Sequence, residues 1–340
     1  MKAVAYTQSL PVTDERSLMD VELPDPCPSG HDLLVRVQAV SVNPRDYKQR
    51  TSLTGISATL RVLGWDAAGI VEAVGPAVSL FRPGDKVYYA GAANRPGCNS
   101  ELHLVDERIA GPMPASLSYE QAAALPLTFV TAWEALFDRL RIPLNNTSNK
   151  PATLLVIGGA GGVGSAAIQL AAKVAGLNII ATASRPASAK WCEQLGAHHV
   201  VNHFDDLVKA VRATGLRYVD YVLVLNGLDR HFAAASELIV PQGSICSIVS
   251  AEGPLDMDVL RRKSGSLCWE LMFTRSSYET PDMVQQHHCL AQVAKLIDAG
   301  VIETTVNELL TPINAANLRK AHGMLEEGRA IGKIVLRGFA

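Results

Sequence analysis

Thr153-Leu154-Leu155-Val156-Ile157-Gly158-Gly159-Ala160-Gly161-Gly162-Val163-Gly164-Ser165-Ala166-Ala167-Ile168 decides the fold of this chain. A short apolar run, read as a strand, passes straight into a glycine-rich turn, and the turn opens a helical pattern over Gly162 to Ala175. Gly159, Gly161 and Gly164 satisfy G-x-G-x-x-G in that strand–turn–helix setting. The first glycine permits the tight turn, the second lets backbone approach a pyrophosphate, and the third lets helix and strand pack closely. The helix N-terminus adds unpaired N–H groups and a positive dipole end. Gly159, Ala160, Gly161, Gly162, Val163 and Gly164 are therefore the expected cradle of a dinucleotide.

Working outward, the pattern alternates. Asn178 to Ala183 reads as the second strand, then a helix over Ser188 to Leu195 and a strand over His198 to Asn202. Strands follow at Val219 to Leu225, Ser244 to Val249 and Ser266 to Phe273, with helices at 205–213 and 229–239. Six strands interleaved with helices imply a parallel, doubly wound sheet. Residues 1 to about 125 differ: short runs such as Leu33-Leu34-Val35-Arg36-Val37 lie between turns such as Pro28-Ser29-Gly30. That texture points to a β-rich, barrel-like domain. Beyond the sixth strand, helices over about 283–299 and 316–327 and a strand at Lys333 to Leu336 leave the alternation and are expected to return to the first domain.

The second strand should end about twenty residues after the glycines, where NAD-preferring sites place an acid against the ribose. This chain has Ala183-Ser184-Arg185-Pro186 there, with Lys190 following and no carboxylate. A hydroxyl and two cations attract a 2′-phosphate, which a carboxylate would repel. The charge pattern favours NADPH; the alternative is that Arg185 and Lys190 are only solvated residues at a helix start.

Bulk properties narrow the class. The 340 residues carry a formal charge of −2 and are 48% hydrophobic, with no basic run to hold a nucleic-acid backbone. The opening MKAVAYTQSL lacks a secretory apolar core, and apolar stretches break well short of the ~20 residues of a membrane helix. Six scattered cysteines form no C-x-x-C pair. A cytoplasmic protein with no nucleic-acid or membrane partner is expected.

Further motifs carry a family resemblance. Gly64-Trp65-Asp66-Ala67-Ala68-Gly69-Ile70-Val71-Glu72-Ala73-Val74-Gly75, Phe81-Arg82-Pro83-Gly84-Asp85-Lys86-Val87, Leu195-Gly196-Ala197 and Gly332-Lys333-Ile334-Val335-Leu336 occur in that order. Together with the glycine motif, the chain resembles the medium-chain dehydrogenase/reductase superfamily. The resemblance implies an α/β architecture: a GroES-like β-rich catalytic domain over 1–125 and 276–340, and a Rossmann doubly wound parallel sheet over 126–275. It also implies that Thr131, Asn226, Phe273 and Lys333 touch the cofactor and that His203 stacks on adenine, although His203 could instead cap the helix near Asp205.

Zinc members of that superfamily hold a catalytic metal with a cysteine, a histidine and a second cysteine. The matching positions here are Asn43, Trp65 and Leu127, which cannot rebuild a soft three-ligand site. The four-cysteine structural lobe is absent too, since Cys98 stands alone in its region. What remains is similar to the quinone oxidoreductase branch and to the zinc-type alcohol dehydrogenase-like proteins. Without a Lewis acid, hydride delivery to a small electrophile, a quinone or an enone, is easier than alcohol oxidation; the alternatives are an alcohol dehydrogenase of the zinc-type family and a non-catalytic, crystallin-like NADPH-binding protein. Asn43, Tyr47, Lys48 and Arg50 are the candidate donors, with Tyr47 the preferred proton donor or oxyanion partner; alternatively Tyr47 only packs and water supplies the proton. Asp46 and Asp66 are expected to be structural, orienting Arg50 or a loop. Strand 266–273, as the apolar edge of the Rossmann sheet, is expected to pair with its twin in a homodimer, with Trp269 and Met272 filling the interface.

Overall fold

The computed structural model describes residues 1–144 and 151–339. They form two compact units, Met1–Val130 with Phe273–Ala340, and Thr131–Met272. The divisions fall a few residues from the expected 125–126 and 275–276.

The first unit begins with β1 (Lys2–Gln8), β2 (Met19–Glu22) and β3 (Asp32–Val42), followed by α1 (Pro44–Ser52). Then come β4 (Ile56–Val62), β5 (Asp66–Val74), β6 (Lys86–Tyr89), β7 (Leu102–Asp106) and β8 (Ala110–Pro112). Strand β3 organises the larger sheet. Leu33, Val35, Val37 and Ala39 alternate into the core, and β5 runs antiparallel along one edge from Leu33↔Val74 to Ser41↔Asp66. Its other edge takes β7 near the start of the strand. Where β3 ends, Pro44 sits at the first turn of α1 and the Asp46 carboxylate accepts from the Asn43 amide at 2.7 Å, which starts the helix at a defined point.

After α2 (Tyr119–Ala123) and α3 (Pro126–Trp133), the second unit runs through a wide helical segment over Glu134–Arg139 into β9 (Thr153–Ile157). Next are α4 (Gly162–Gln169), β10 (Asn178–Thr182), α5 (Pro186–Leu195), β11 (His199–Val201), α6 (Leu207–Ala213), β12 (Val219–Val224) and α7 (Leu228–Leu238). Then follow β13 (Ile239–Ser247), α8 (Asp258–Arg261) and β14 (Ser266–Trp269). All six strands pair in parallel in the order β11-β10-β9-β12-β13-β14. Every residue of β9 is buried, as a strand covered on both faces requires. The order reverses between β9 and β12, which makes the C-terminal ends of those strands a ligand crevice.

Strand β14 is the sheet edge, as expected, but it stops at Trp269 instead of Phe273. The Glu270 amide still donates to the Ser247 carbonyl at 2.9 Å, and its carboxylate accepts from Arg139 Nε at 2.8 Å. Met272 is buried within its own chain and cannot serve an interface, which corrects that part of the expectation. Trp269 and Leu271 remain half exposed.

From Phe273 the chain returns to the first unit through α9 (Thr274–Ser277), α10 (Gln285–Asp298), β15 (Val306–Leu310), α11 (Ala315–Glu326) and β16 (Lys333–Arg337). Strand β16 runs antiparallel to β3 with Ile334 opposite Val42, so Lys333 arrives beside Asn43. On the far edge of β3, Ser41 pairs with Asp66. Register alone thus gathers Asn43, Asp66 and Lys333 at the ends of three adjacent strands. Among the described residues, no helix is long and apolar enough to cross a membrane.

Candidate functional site

Lys333 is 3% exposed and Asp66 fully buried, with Nζ 2.9 Å from Asp66 Oδ2. The same ammonium donates to Asn43 Oδ1 at 2.5 Å and to the Val42 carbonyl at 3.0 Å. Its three donors are therefore spent. The position beside Val42 commits the Lys333 ammonium to Asp66 and Asn43. Asn43 Nδ2 closes the ring by donating to Asp66 Oδ2 at 2.8 Å, and Asp66 Oδ1 accepts from the Leu127 amide at 2.7 Å. Burial pushes the Asp46 carboxyl up to about 7, against the Asn43 amide and the Lys333 charge that hold it down. Cys98, the lone cysteine of this region, donates its thiol to the Asp66 carbonyl at 3.4 Å.

The cluster does not gather the other expected donors. Arg50 is fully buried, but its guanidinium is taken by the Leu10 carbonyl and by Glu326 on α11. Helical geometry turns it toward α11, and neither Asp46 nor Asp66 orients it. Tyr47 is half-buried; burial and the Glu326 charge both raise its phenol, so it is a weaker acid than a free tyrosine. Lys48 is exposed. Of the four candidates, only Asn43 belongs to the buried network. Arg45, passed over in the sequence, lies against it. Its guanidinium stands 5.1 Å from the Trp65 ring centroid and 4.6 Å from that of Phe273. Phe273 is thus part of this cluster in the first unit. The signal available was the cation inside Asn43-Pro44-Arg45-Asp46, next to a lost metal position.

Zinc does not fit these residues. The Asn43 side chain is engaged at both ends, Trp65 presents an indole, and Leu127 offers only a backbone amide already donated to Asp66. Among the described residues no group of three histidine, cysteine or acidic side chains could hold a metal ion.

In the second unit the glycine turn is shaped for a dinucleotide. The positive φ falls on Gly158, at 96°, one residue before the motif's first glycine. A Cβ on Gly159 would lie 2.9 Å from Ala181 Cβ, and one on Gly164 only 2.4 Å from the Gly159 carbonyl oxygen. Gly161 is different: its nearest neighbour would be 3.7 Å away, so that side of the turn stays open. Gly161 caps α4, and Gly162, Val163 and Gly164 begin it with amides that precede any helical acceptor. Thr182 pins the turn through its hydroxyl and carbonyl, which accept from the Gly158 and Gly159 amides.

Ser184 and Arg185 follow the end of β10, His203 the end of β11 and Asn226 the end of β12, so parallel pairing brings all four to the edge that carries the glycine turn. Arg185, Lys190 and Asn226 are exposed, whereas Thr131 is buried in α3. His203 does not cap a helix: Asp206 caps α6, accepting from the Lys209 amide at 3.0 Å. Burial, then the Arg230 charge, lowers the His203 imidazole.

Residues 29–126 match the alcohol dehydrogenase GroES-like domain, and residues 195–336 match the zinc-binding dehydrogenase family. A zinc-type alcohol dehydrogenase-like protein of Staphylococcus aureus is 40% identical over 336 residues, covering 99% of each chain. A mouse quinone oxidoreductase is 30% identical over 68% of this chain and 69% of its own. Among solved structures, one from Rhizobium etli provisionally described as a zinc-dependent alcohol dehydrogenase shares 50% identity. It covers 100% of this chain and 98% of its own with a TM-score of 0.94. The Escherichia coli quinone oxidoreductase complexed with NADPH superposes with a TM-score of 0.81 at 26% identity, covering 99% of this chain and 100% of its own. The chain belongs to the medium-chain dehydrogenase/reductase superfamily and is an oxidoreductase of that family, with a GroES-like unit, a Rossmann unit and none of the zinc ligands.

Proposed function

We propose that this protein is a zinc-independent reductase that uses NADPH to reduce a quinone or the C=C bond of an α,β-unsaturated carbonyl. The observation that carries the reading is the cluster standing where a metal would be needed. Asn43, Asp66 and Lys333 satisfy one another and leave no open ligand position. Alcohol oxidation needs help in removing a hydroxyl proton, and this cluster provides no acid strong enough to replace a Lewis acid. Adding hydride to an electron-poor carbon asks only for donors that stabilise negative charge on oxygen.

Gly159 to Gly164 would hold the pyrophosphate, and Ser184, Arg185 and Lys190 the 2′-phosphate. Thr131, His203 and Asn226 would complete the cofactor contacts. When bound, NADPH supplies the hydride. With the Tyr47 phenol made a weaker acid by burial and the Glu326 charge, and Lys48 in solvent, water is the proton source.

The test is cofactor oxidation with a panel of quinones, enals and enones, with chelator present throughout. Turnover that survives chelation supports the reading; turnover confined to alcohols with NADP⁺ overturns it. Arg185→Ala and Lys190→Ala are each expected to weaken NADPH about tenfold, the effect of losing one charge-assisted contact, and to leave NADH unchanged. Calorimetry showing unaltered NADPH affinity in both variants removes the phosphate assignment. We also propose that β14 pairs with its twin across a two-fold axis, with Trp269 and Leu271 at the contact. Light scattering that returns the mass of a single chain at every concentration eliminates that dimer.

A further inference from the structure

Arg45 is a cation without a counterion. Arg50 holds Glu326, Arg95 holds Asp32, Arg108 holds Asp106 and Arg275 holds Asp282. Arg45 has no ion-pair partner among the described residues, and its buried Nε has no hydrogen-bond acceptor. Instead the guanidinium lies against both Trp65 and Phe273, each 3% exposed, whose rings meet edge-to-face at 6.0 Å.

Of the two nearby carboxylates, Asp66 is fully committed and Asp46 only in part. Both Asp66 oxygens are occupied by Leu127, Asn43 and Lys333. Asp46 accepts from the Asn43 amide at Oδ2, while its Oδ1 is buried without a hydrogen-bond partner; burial pushes this carboxyl up to about 7, and although its charge acts on Arg45 the two form no ion pair.

A purely packing role does not explain this choice. A methionine would pack against both rings without desolvating a charge, whereas the guanidinium gains only a modest attraction from them. What arginine adds is a planar fork of donors that matches a carboxylate through two parallel hydrogen bonds.

We infer that Arg45 is a specificity-determining residue that binds a carboxylate carried by the substrate, with Trp65 and Phe273 holding the plane of its fork. The substrate class is then an acidic enone or quinone, in place of a neutral one. This identity rests on the reductase reading above; the anion site itself does not.

The test is a matched pair, β-acetylacrylate and its methyl ester, which share one enone and differ in one charge. Each is titrated calorimetrically into the whole protein with NADP⁺ present, so that no turnover intervenes. The parent is expected to bind the acid at least about tenfold more tightly than the ester, with the preference shrinking as salt is raised. Arg45→Met is expected to erase the preference and Arg45→Lys to keep part of it, since lysine retains the charge but not the fork. Equal binding of acid and ester by the parent overturns the inference without any variant. So does an Arg45→Met protein that keeps the preference, or one that loses turnover while its carboxylate affinity is unchanged. If neither compound oxidises NADPH yet the acid still binds preferentially through Arg45, the reductase reading fails and the anion site stands.

Discussion

Lys333→Met will lower the free energy of unfolding by roughly 3–5 kcal/mol, the range for removing one partner of a buried ion pair. The cost comes from what is left behind. Asp66 is fully buried, and without the ammonium its charge keeps only the Asn43 and Leu127 N–H donors. Lys333→Met combined with Asp66→Asn should be less damaging than the lysine change alone, because the stranded charge disappears with its partner. Urea denaturation of the three proteins checks this; additive losses would mean that the two side chains act independently. The same measurements carry a pH signature through Asp46. Its carboxyl stands at about 7 in the folded chain and near 3.9 when unfolded. Below about pH 4 both states hold the proton. Between about 4 and 7 only the folded state keeps it, so stability from this group is lost as pH rises through that window. Asp46→Asn should therefore gain stability relative to the parent from pH 4 to 7, and a constant difference across the window would refute the assignment.

Gly161→Ala and Gly164→Ala will separate ligand contact from folding. At Gly164 a Cβ would lie 2.4 and 2.5 Å from the carbonyl oxygens of Gly159 and Gly158, neither of which can move without opening the turn. That variant should lose about 1–3 kcal/mol of stability, as overpacking does, and lose NADPH binding with it. At Gly161 the added methyl has room and the backbone φ of −74° suits any residue, so the melting temperature should not change. The methyl would nonetheless occupy the approach of the pyrophosphate, and NADPH affinity should fall at least tenfold. Fluorescence titration alongside thermal melts reads both quantities. A Gly161→Ala protein with unaltered affinity would show that the open side of the turn does not face the dinucleotide.

Much of the architecture follows from local chemistry. Alternating apolar runs and helical patterns after Thr153 admit only a parallel sheet, and Gly159, Gly161 and Gly164 state their separate steric roles by spacing. Those signals are local because a strand, a turn and a helix N-terminus are each specified by neighbouring residues. The surroundings of the end of β14 were not legible, since Glu270 pairs there with Arg139, more than a hundred residues away in the chain.

The catalytic side depended most on tertiary structure. Tyr47, Lys48 and Arg50 are sequence neighbours of Asn43, but a helix turns successive side chains by about 100°, and α11 claims Arg50 through Glu326. Lys333 lies 290 residues from Asn43, and only the antiparallel register of β16 on β3 brings them together. The placement of Arg45 against Phe273 depends likewise on the chain returning to the first unit after Met272. Sequence alone determined that this chain folds around a dinucleotide-type turn and lacks zinc ligands, because turn geometry and ligand chemistry depend on residue type. That Lys333 and Arg50 are spent, and that Arg45 has no ion-pair partner among the described residues, was decided by strand register and helix packing, because charge pairing depends on distances that spacing along the chain does not contain.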